Sequence, residues 1–215
     1  MEGLKKLEPG YVYELIPWKT GEKYDNRLIE KARRILFDTN LFSMIEFNNP
    51  GKVDARGQLP ITVKMGERSL RTIRLGLEYT TDYGPGVNGS WTHRNLFGMG
   101  EKLTAGAIFN SKIRTASLRF EKPMFLEKKN TFISEGAFND ETTDAYDARS
   151  VEVSTILSRK FTKTFQAGAG AGFRYGRVKQ KTDDEHTIYH LAFLPLTASQ
   201  DTREDLLNPT HGYNF

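Results

Sequence analysis

From about residue 70 onward, apolar and polar residues alternate with a period of two. In residues 72–80, Ile73, Leu75, Leu77 and Tyr79 fall on one side, and Arg74, Gly76, Glu78 and Thr80 on the other. Residues 163–177 repeat the pattern. Phe165, Ala167, Ala169, Ala171, Phe173 and Tyr175 alternate with Gln166, Gly168, Gly170, Gly172, Arg174 and Gly176. Similar segments cover 87–95, 100–110, 112–121, 130–139, 148–159 and 186–198, with turn residues between them. Such alternation is the mark of strands with two unlike faces. It predicts eight consecutive antiparallel strands, with a ninth beginning at Tyr213.

Before residue 70 the period differs. Leu28, Ala32, Ile35 and Leu36 recur at helical spacing and predict a helix over 26–38, with Asp25 as its N-cap. Residues 4–16 read as a short helix or turn broken at Pro9-Gly10. Ser43–Asn48 and Leu59–Met65 read as strands, separated by Asn49-Pro50-Gly51 and Ala55-Arg56-Gly57. The predicted class is therefore mainly β. A small α/β domain over 1–68 leads into an antiparallel, up-and-down sheet over 69–215, with almost no linker at Glu67–Thr72.

A soluble sandwich also alternates, so periodicity does not choose between sandwich and membrane barrel. Three features favour the barrel. The strands are long. Tyr79, Tyr83, Trp91, Phe97, Phe109, Phe120, Phe125, Phe161 and Tyr175 crowd the predicted strand ends, as in interfacial girdles. The presumed inner face is polar or glycine where a sandwich core is apolar. The connections at 138–148 and 177–186 read as long and polar, and those at 95–100 and 159–163 as tight. Barrels place short turns on the periplasmic side. The first strand is then expected to run outward, with the connection at 199–212 as an exception.

Composition refines this. Hydrophobic residues make up 38% and no run of about 20 apolar residues occurs, so no transmembrane helix is expected. With no Cys there is no disulfide framework or thiolate metal site. The net charge of +4 is spread along the chain and does not point to nucleic acid. Residues 1–16 lack the apolar stretch of an export signal.

Three segments carry a family resemblance. The first is YELIPWKTGEKYDNRLIEKARRILFDTNLFSMIEF, with Gly21, Tyr24 and Leu41-Phe42 at marked positions. The second is LGLEYTTDYGPGVNGSWTHRNLFGMGEKL, in which Gly76, Tyr79, Thr81, Asp82, Gly84, Asn95, Leu96, Phe97, Gly98 and Gly100 match. The third is DTREDLLNPTHGYNF, in which Asp201, Arg203, Asp205, Pro209, Gly212 and Tyr213 match. Together they resemble the outer-membrane assembly factors of Gram-negative bacteria and organelles, the bacterial surface antigen family, and most of all its translocation and assembly module (TamA) branch. The resemblance implies a β-α-α-β-β POTRA domain, here without its first strand, and then the N-terminal half of a barrel of about 16 strands. The chain is thus expected to be part of a longer protein and to form an open sheet with an exposed edge at 186–198.

The resemblance also implies no enzyme and no cofactor or metal. The first strand, Ile73, Arg74, Leu75, Gly76, Leu77, Glu78 and Tyr79, would act through its main chain as a gate that pairs with client strands. Expected partners are outer-membrane lipid, unfolded barrel or autotransporter clients, and a periplasm-spanning or inner-membrane-anchored protein held by the POTRA part. The expected location is the outer membrane, with the N-terminal part in the periplasm. Assembly competes with two-partner secretion through the lumen, and with a passive pore. The turns at Asp82, Gly84, Asn95, Gly98, Gly100 and Asp201–Gly212 read as backbone turn chemistry.

Other motifs read as structure. Gly168–Gly172 lies inside an alternating strand rather than before a helix, which disfavours a phosphate loop. Asp183-Asp184-Glu185-His186 and the acidic run Asp140, Glu141, Asp144 and Asp147 read as solvated polar segments rather than metal ligands. His93 and His190 are isolated, and no nucleophile, base and acid come together.

Overall fold

The computed structural model describes residues 1–49, 51–55, 57–182, 185–203 and 213. They form two compact units: Met1–Thr72 with His93–Glu101, and Ile73–Thr92 with Lys102–Phe215. The division is therefore not a single cut along the sequence. The segment 93–101, which joins two strands of the second unit, belongs to the first.

The first unit carries helix α1 (Pro9–Leu15), helix α2 (Asn26–Asp38) and the antiparallel strands β1 (Phe42–Asn48) and β2 (Thr62–Glu67). Pro9 starts α1 rather than breaking it. Its fixed φ and missing N–H suit the first helical turn, where that donor would be unpaired. Asp25 caps α2 by accepting a hydrogen bond from Arg27 N at 2.9 Å. The buried face of α2 is centred on Ile29, Ala32 and Leu36, one step round from the predicted stripe. Leu28 and Ile35 sit half-buried at its margins. The core is Leu7, Tyr11, Val12, Ile29, Ala32, Leu36, Leu41, Phe42, Val63 and Met65. At the N-terminus, Glu2 forms a parallel bridge to Lys64, through Glu2 N to Val63 O (2.9 Å) and Met65 N to Glu2 O (3.0 Å).

The second unit is one antiparallel sheet. It contains β3 (Arg71–Thr80), β4 (Gly84–Arg94), β5 (Lys102–Asn110), β6 (Ile113–Pro123), β7 (Asn130–Thr142), β8 (Tyr146–Lys160), β9 (Phe165–Gln180), β10 (His186–Phe193) and β11 (Leu196–Gln200). Each strand pairs with the next, from β3 at one edge to β10 at the other, and β11 also pairs with β9. The predicted strand 186–198 is thus divided in two. Phe193 lies opposite Gly172 and Leu196 opposite Ala169, so the register continues unbroken across the gap. Pro195 has no N–H for the ladder, and only its carbonyl takes part, accepting from Gly170 N at 3.0 Å. Tyr213 N–H donates to Thr202 Oγ1 at 3.0 Å and its carbonyl accepts from Thr202 N at 2.9 Å; the rest of the strand expected to begin there lies outside the described residues.

The loop-length expectation is overturned. β7 and β8 extend through the supposed loop at 138–148 and leave only 143–145 as a turn, and β9 runs to Gln180. Cross-strand pairing absorbs the charges: Asp140 faces Arg149, which donates from Nε at 3.1 Å. Connection lengths therefore do not orient the sheet. The glycines of β9 give room to large neighbours. A Cβ on Gly172 would fall within 2.9 Å of the Phe193 ring, and one on Gly176 would meet the Tyr189 ring.

Candidate functional site

Of the sequence-derived site residues, those of the edge strand, the turns at 82–84 and 95–100, and Asp201 and Arg203 fall on described residues.

The face of β3 that bears Ile73, Leu75, Leu77 and Tyr79 is open. These side chains are 70%, 85%, 87% and 75% exposed. The apolar residues continue across the sheet on one face. Leu118 lies opposite Ala105 and Gly136, Phe138 opposite Val151, and Val153 opposite Phe173. Leu118, Phe138, Val151, Val153, Phe173 and Tyr175 are all exposed. The other face carries charge and glycine. Arg119 pairs with Glu135 and, at 2.9 Å, with Glu121, which also receives Lys102 Nζ at 3.2 Å. Arg174 Nε donates to Glu152 at 2.6 Å.

Among the described residues, every buried apolar side chain belongs to the first unit. Buried side chains in the sheet are polar: Thr92, Asn110, Asn130 and Ser154. A water-soluble sheet of this size buries one apolar face. This one leaves its apolar face exposed and pairs charges on the other.

Among the described residues, β3 has a strand partner on one side only, β4. Within it, Gly76 sits beside Asn88, whose Oδ1 would be 2.5 Å from an added Cβ. Asn88 in turn donates from Nδ2 to Glu78 at 3.3 Å. Gly76 therefore admits the cross-strand amide. Arg74 is exposed. Beyond β3, Gly84 takes φ +69° and closes the turn that holds Asp82. Tyr83 N donates to Thr80 Oγ1 at 3.2 Å there.

The turn at 95–101 is a second constellation, and it lies wholly in the first unit. Asn95 is 3% exposed and takes φ 71°. Its Nδ2 donates to Lys6 O at 3.0 Å and its Oδ1 accepts from Gly100 N at 2.9 Å. Gly98 O accepts from Glu8 N at 2.9 Å. Gly100, at φ 75°, lies so close to the Tyr11 phenol that a Cβ would strike it. Glu101 is 1% exposed and accepts from Phe97 N (3.3 Å) and Met99 N (3.0 Å). Burial, with the nearby Glu101 charge, pushes the Tyr11 hydroxyl up to about 12. Phe97 thus belongs to this turn, not to a girdle at a strand end.

Sequence reasoning found Asn95, Gly98 and Gly100 but missed Glu101, Tyr11 and Glu8. A carboxylate directly after a glycine turn was the available signal for Glu101. Glu67 was missed as well. Its Oε1 accepts from the N–H groups of Lys5, Lys6 and Leu7 at 2.7, 2.9 and 3.0 Å. Burial pushes this carboxyl up, but the three N–H donors and the Lys5 charge outweigh it and hold the group below the usual range.

In the third motif, Arg203 grips Asp201 through Nε (2.9 Å) and Nη2 (2.7 Å). These bonds, led by the side-chain contact, hold Asp201 down to about 2. Asp205, Pro209 and Gly212 lie outside the described residues, as do Asp183 and Asp184.

Comparison with known proteins agrees with this geometry. Residues 95–215, over half the chain, match the Omp85 superfamily domain. The outer membrane protein assembly factor BamA of Buchnera aphidicola subsp. Acyrthosiphon pisum (strain APS) is 24% identical over 120 residues, covering 56% of this chain and 19% of the relative. BamA of Nitratidesulfovibrio vulgaris is 22% identical over 151 residues, covering 70% of this chain and again 19% of the relative. The chain thus spans less than a quarter of the length of these relatives. Among solved structures, BamA from Haemophilus ducreyi lacking POTRA domains 1-3 aligns with a TM-score of 0.80 at 17% identity, covering 99% of this chain and 45% of that one. CdiB from Acinetobacter baumannii aligns at 0.62 with 12% identity, covering 92% and 41%. The inverted sheet, the edge strand and the matched turn motifs find their common account in one family: the chain belongs to the Omp85 superfamily of outer-membrane β-barrel proteins.

Proposed function

We propose that this chain is the client-handling part of an outer-membrane translocation and assembly machine, with β3 as its gate. The observation that carries the reading is the position of β3: an edge strand whose outer row is almost fully exposed. One edge of Ile73–Tyr79 is open to a client strand, which would add by β-augmentation. Each main-chain hydrogen bond contributes about 0.5–1.5 kcal/mol net. A short edge therefore holds a client firmly enough to template it and weakly enough to release it. The mechanism is non-covalent and assigns no catalytic group.

The finer assignments belong to the same reading. The α-α-β-β order of the first unit supports a POTRA domain over 1–68 in the periplasm, with the Glu2 bridge marking the place of its first strand. That domain would dock a periplasm-spanning or inner-membrane-anchored partner. The motif set of the TamA branch favours autotransporter or barrel clients over other cargo. The turns at 82–84, 95–100 and 201–203 then serve as structural turns of the barrel half.

Cysteines placed singly at Leu75 and Leu77 in the full-length protein test the gate. Cross-linking to the terminal strand of an assembling client is the expected result. An intact, active protein that yields no adducts at either position would refute it. The likeness to CdiB favours a second reading, polypeptide conduction through the lumen. In that case adducts would form from charged-face positions such as Glu135 and Glu152 and not from Leu75.

A further inference from the structure

Main-chain pairing at an open strand edge reads no sequence, and side chains beside the edge supply the selectivity. On the charged face of the sheet, three ion pairs join neighbouring strands: Lys102–Glu121, Arg119–Glu135 and Arg174–Glu152. In each, the two residues lie directly opposite one another in the register. Asp140 and Arg149, on the other face, are paired in the same way. Cations and carboxylates of neighbouring strands thus meet straight across, an arrangement that stabilises an antiparallel pair.

Arg74 lacks such a partner. It alternates with the exposed row Ile73, Leu75 and Leu77, and so shares the charged face with Gly76 and Glu78. It is exposed, and among the described residues no ion pair or side-chain hydrogen bond joins it. Glu78 stands four residues further on, about 13 Å along the strand, and is engaged by Asn88 Nδ2 at 3.3 Å. Straight across from Arg74, on the side away from β4, is the position that a joining strand would fill. The two charges also distinguish registers. A slip by one residue would turn the joining strand's charged face outward. A slip by four would set a carboxylate suited to Arg74 opposite Glu78, where like charges repel.

We propose that Arg74 sets the register of an incoming client strand by pairing with a carboxylate directly opposite it, so that the strand recognised at this edge carries Asp or Glu at that position. The inference rests on the reading of β3 as the gate and adds the side-chain chemistry that selects the client.

The test uses the full-length protein in detergent and synthetic strand peptides of about ten residues, the length of a membrane strand. Each peptide alternates valine with threonine and carries a photoreactive benzophenone at one end. The central threonine is replaced by Glu, Gln or Lys, and labelled sites are read by mass spectrometry of the digested protein. Labelling at β3 is expected, with the Glu peptide about tenfold more efficient than the Lys peptide. Arg74→Glu should invert that order, and Arg74→Gln should level it. Moving the Glu two places along the peptide should move the labelled site by the same step. Heat-modifiable migration on gels verifies that each variant is folded. Equal labelling of β3 by all three peptides, or an unchanged order in folded Arg74→Glu, would overturn the charge pair while leaving the gate in place. Labelling that avoids β3 with every peptide would refute the gate itself, and the inference with it.

Discussion

Individual residues show where sequence motifs acquire a physical role. Asn95 looks like an ordinary turn residue, and its left-handed φ fits that. Its amide also bridges Lys6 O and Gly100 N within a buried site. Asn95→Ala removes both bonds and places a non-glycine, non-Asx residue at positive φ. A loss of about 2–4 kcal/mol is expected in urea unfolding of the first unit. Glu67 gives a pH-dependent prediction. Its folded pKa lies below the model-compound value of 4.5. Its stabilising contribution is therefore complete above pH 4.5 and is lost as pH falls through the lower folded value. Glu67→Gln should be less stable than wild type at pH 7, with the difference shrinking on acidification. A constant difference from pH 7 down to pH 3 would refute this role for the charge. The pairing of Glu67 with three N–H groups 60 to 62 residues away was not legible in the sequence, because nothing local marks a carboxylate for contacts so distant.

Elements were far more legible. The helix at 26–38 and the alternating segments follow from periods of 3.6 and 2, which are local properties of the backbone. What the pattern misjudged was extent. The polar stretches after 138 and 177 lack apolar alternation and so read as loops, yet cross-strand partners such as Asp140 and Arg149 keep them in the sheet. The same alternation sets the cost of a wrong residue on β3. Leu75→Arg places a charge on the exposed apolar face. A cost of about 2–4 kcal/mol is expected if that face meets the bilayer midplane. Unfolding in liposomes checks this, and an equally stable variant would place Leu75 away from lipid.

At the scale of the whole molecule, the decisive feature is the separation of apolar burial. The first unit contains all the buried apolar side chains among the described residues, and the sheet presents its own outward. Such an exposed surface is not sustained in water. Dilution of the purified chain out of detergent should therefore give aggregates, followed by light scattering. A soluble, protease-resistant monomer would overturn the membrane reading. The sequence by itself determined the strand periodicity, the α2 helix, the inverted placement of apolar and polar faces, and the motifs of the family. All of these are written in residue spacing along a few turns or strands. The tertiary structure alone decided that the hairpin turn 93–101 belongs with the helices, that Arg149 faces Arg177, and that Pro195 interrupts a strand without shifting its register. These depend on which distant segments lie side by side, and register between strands is a property of pairs of segments rather than of either one alone.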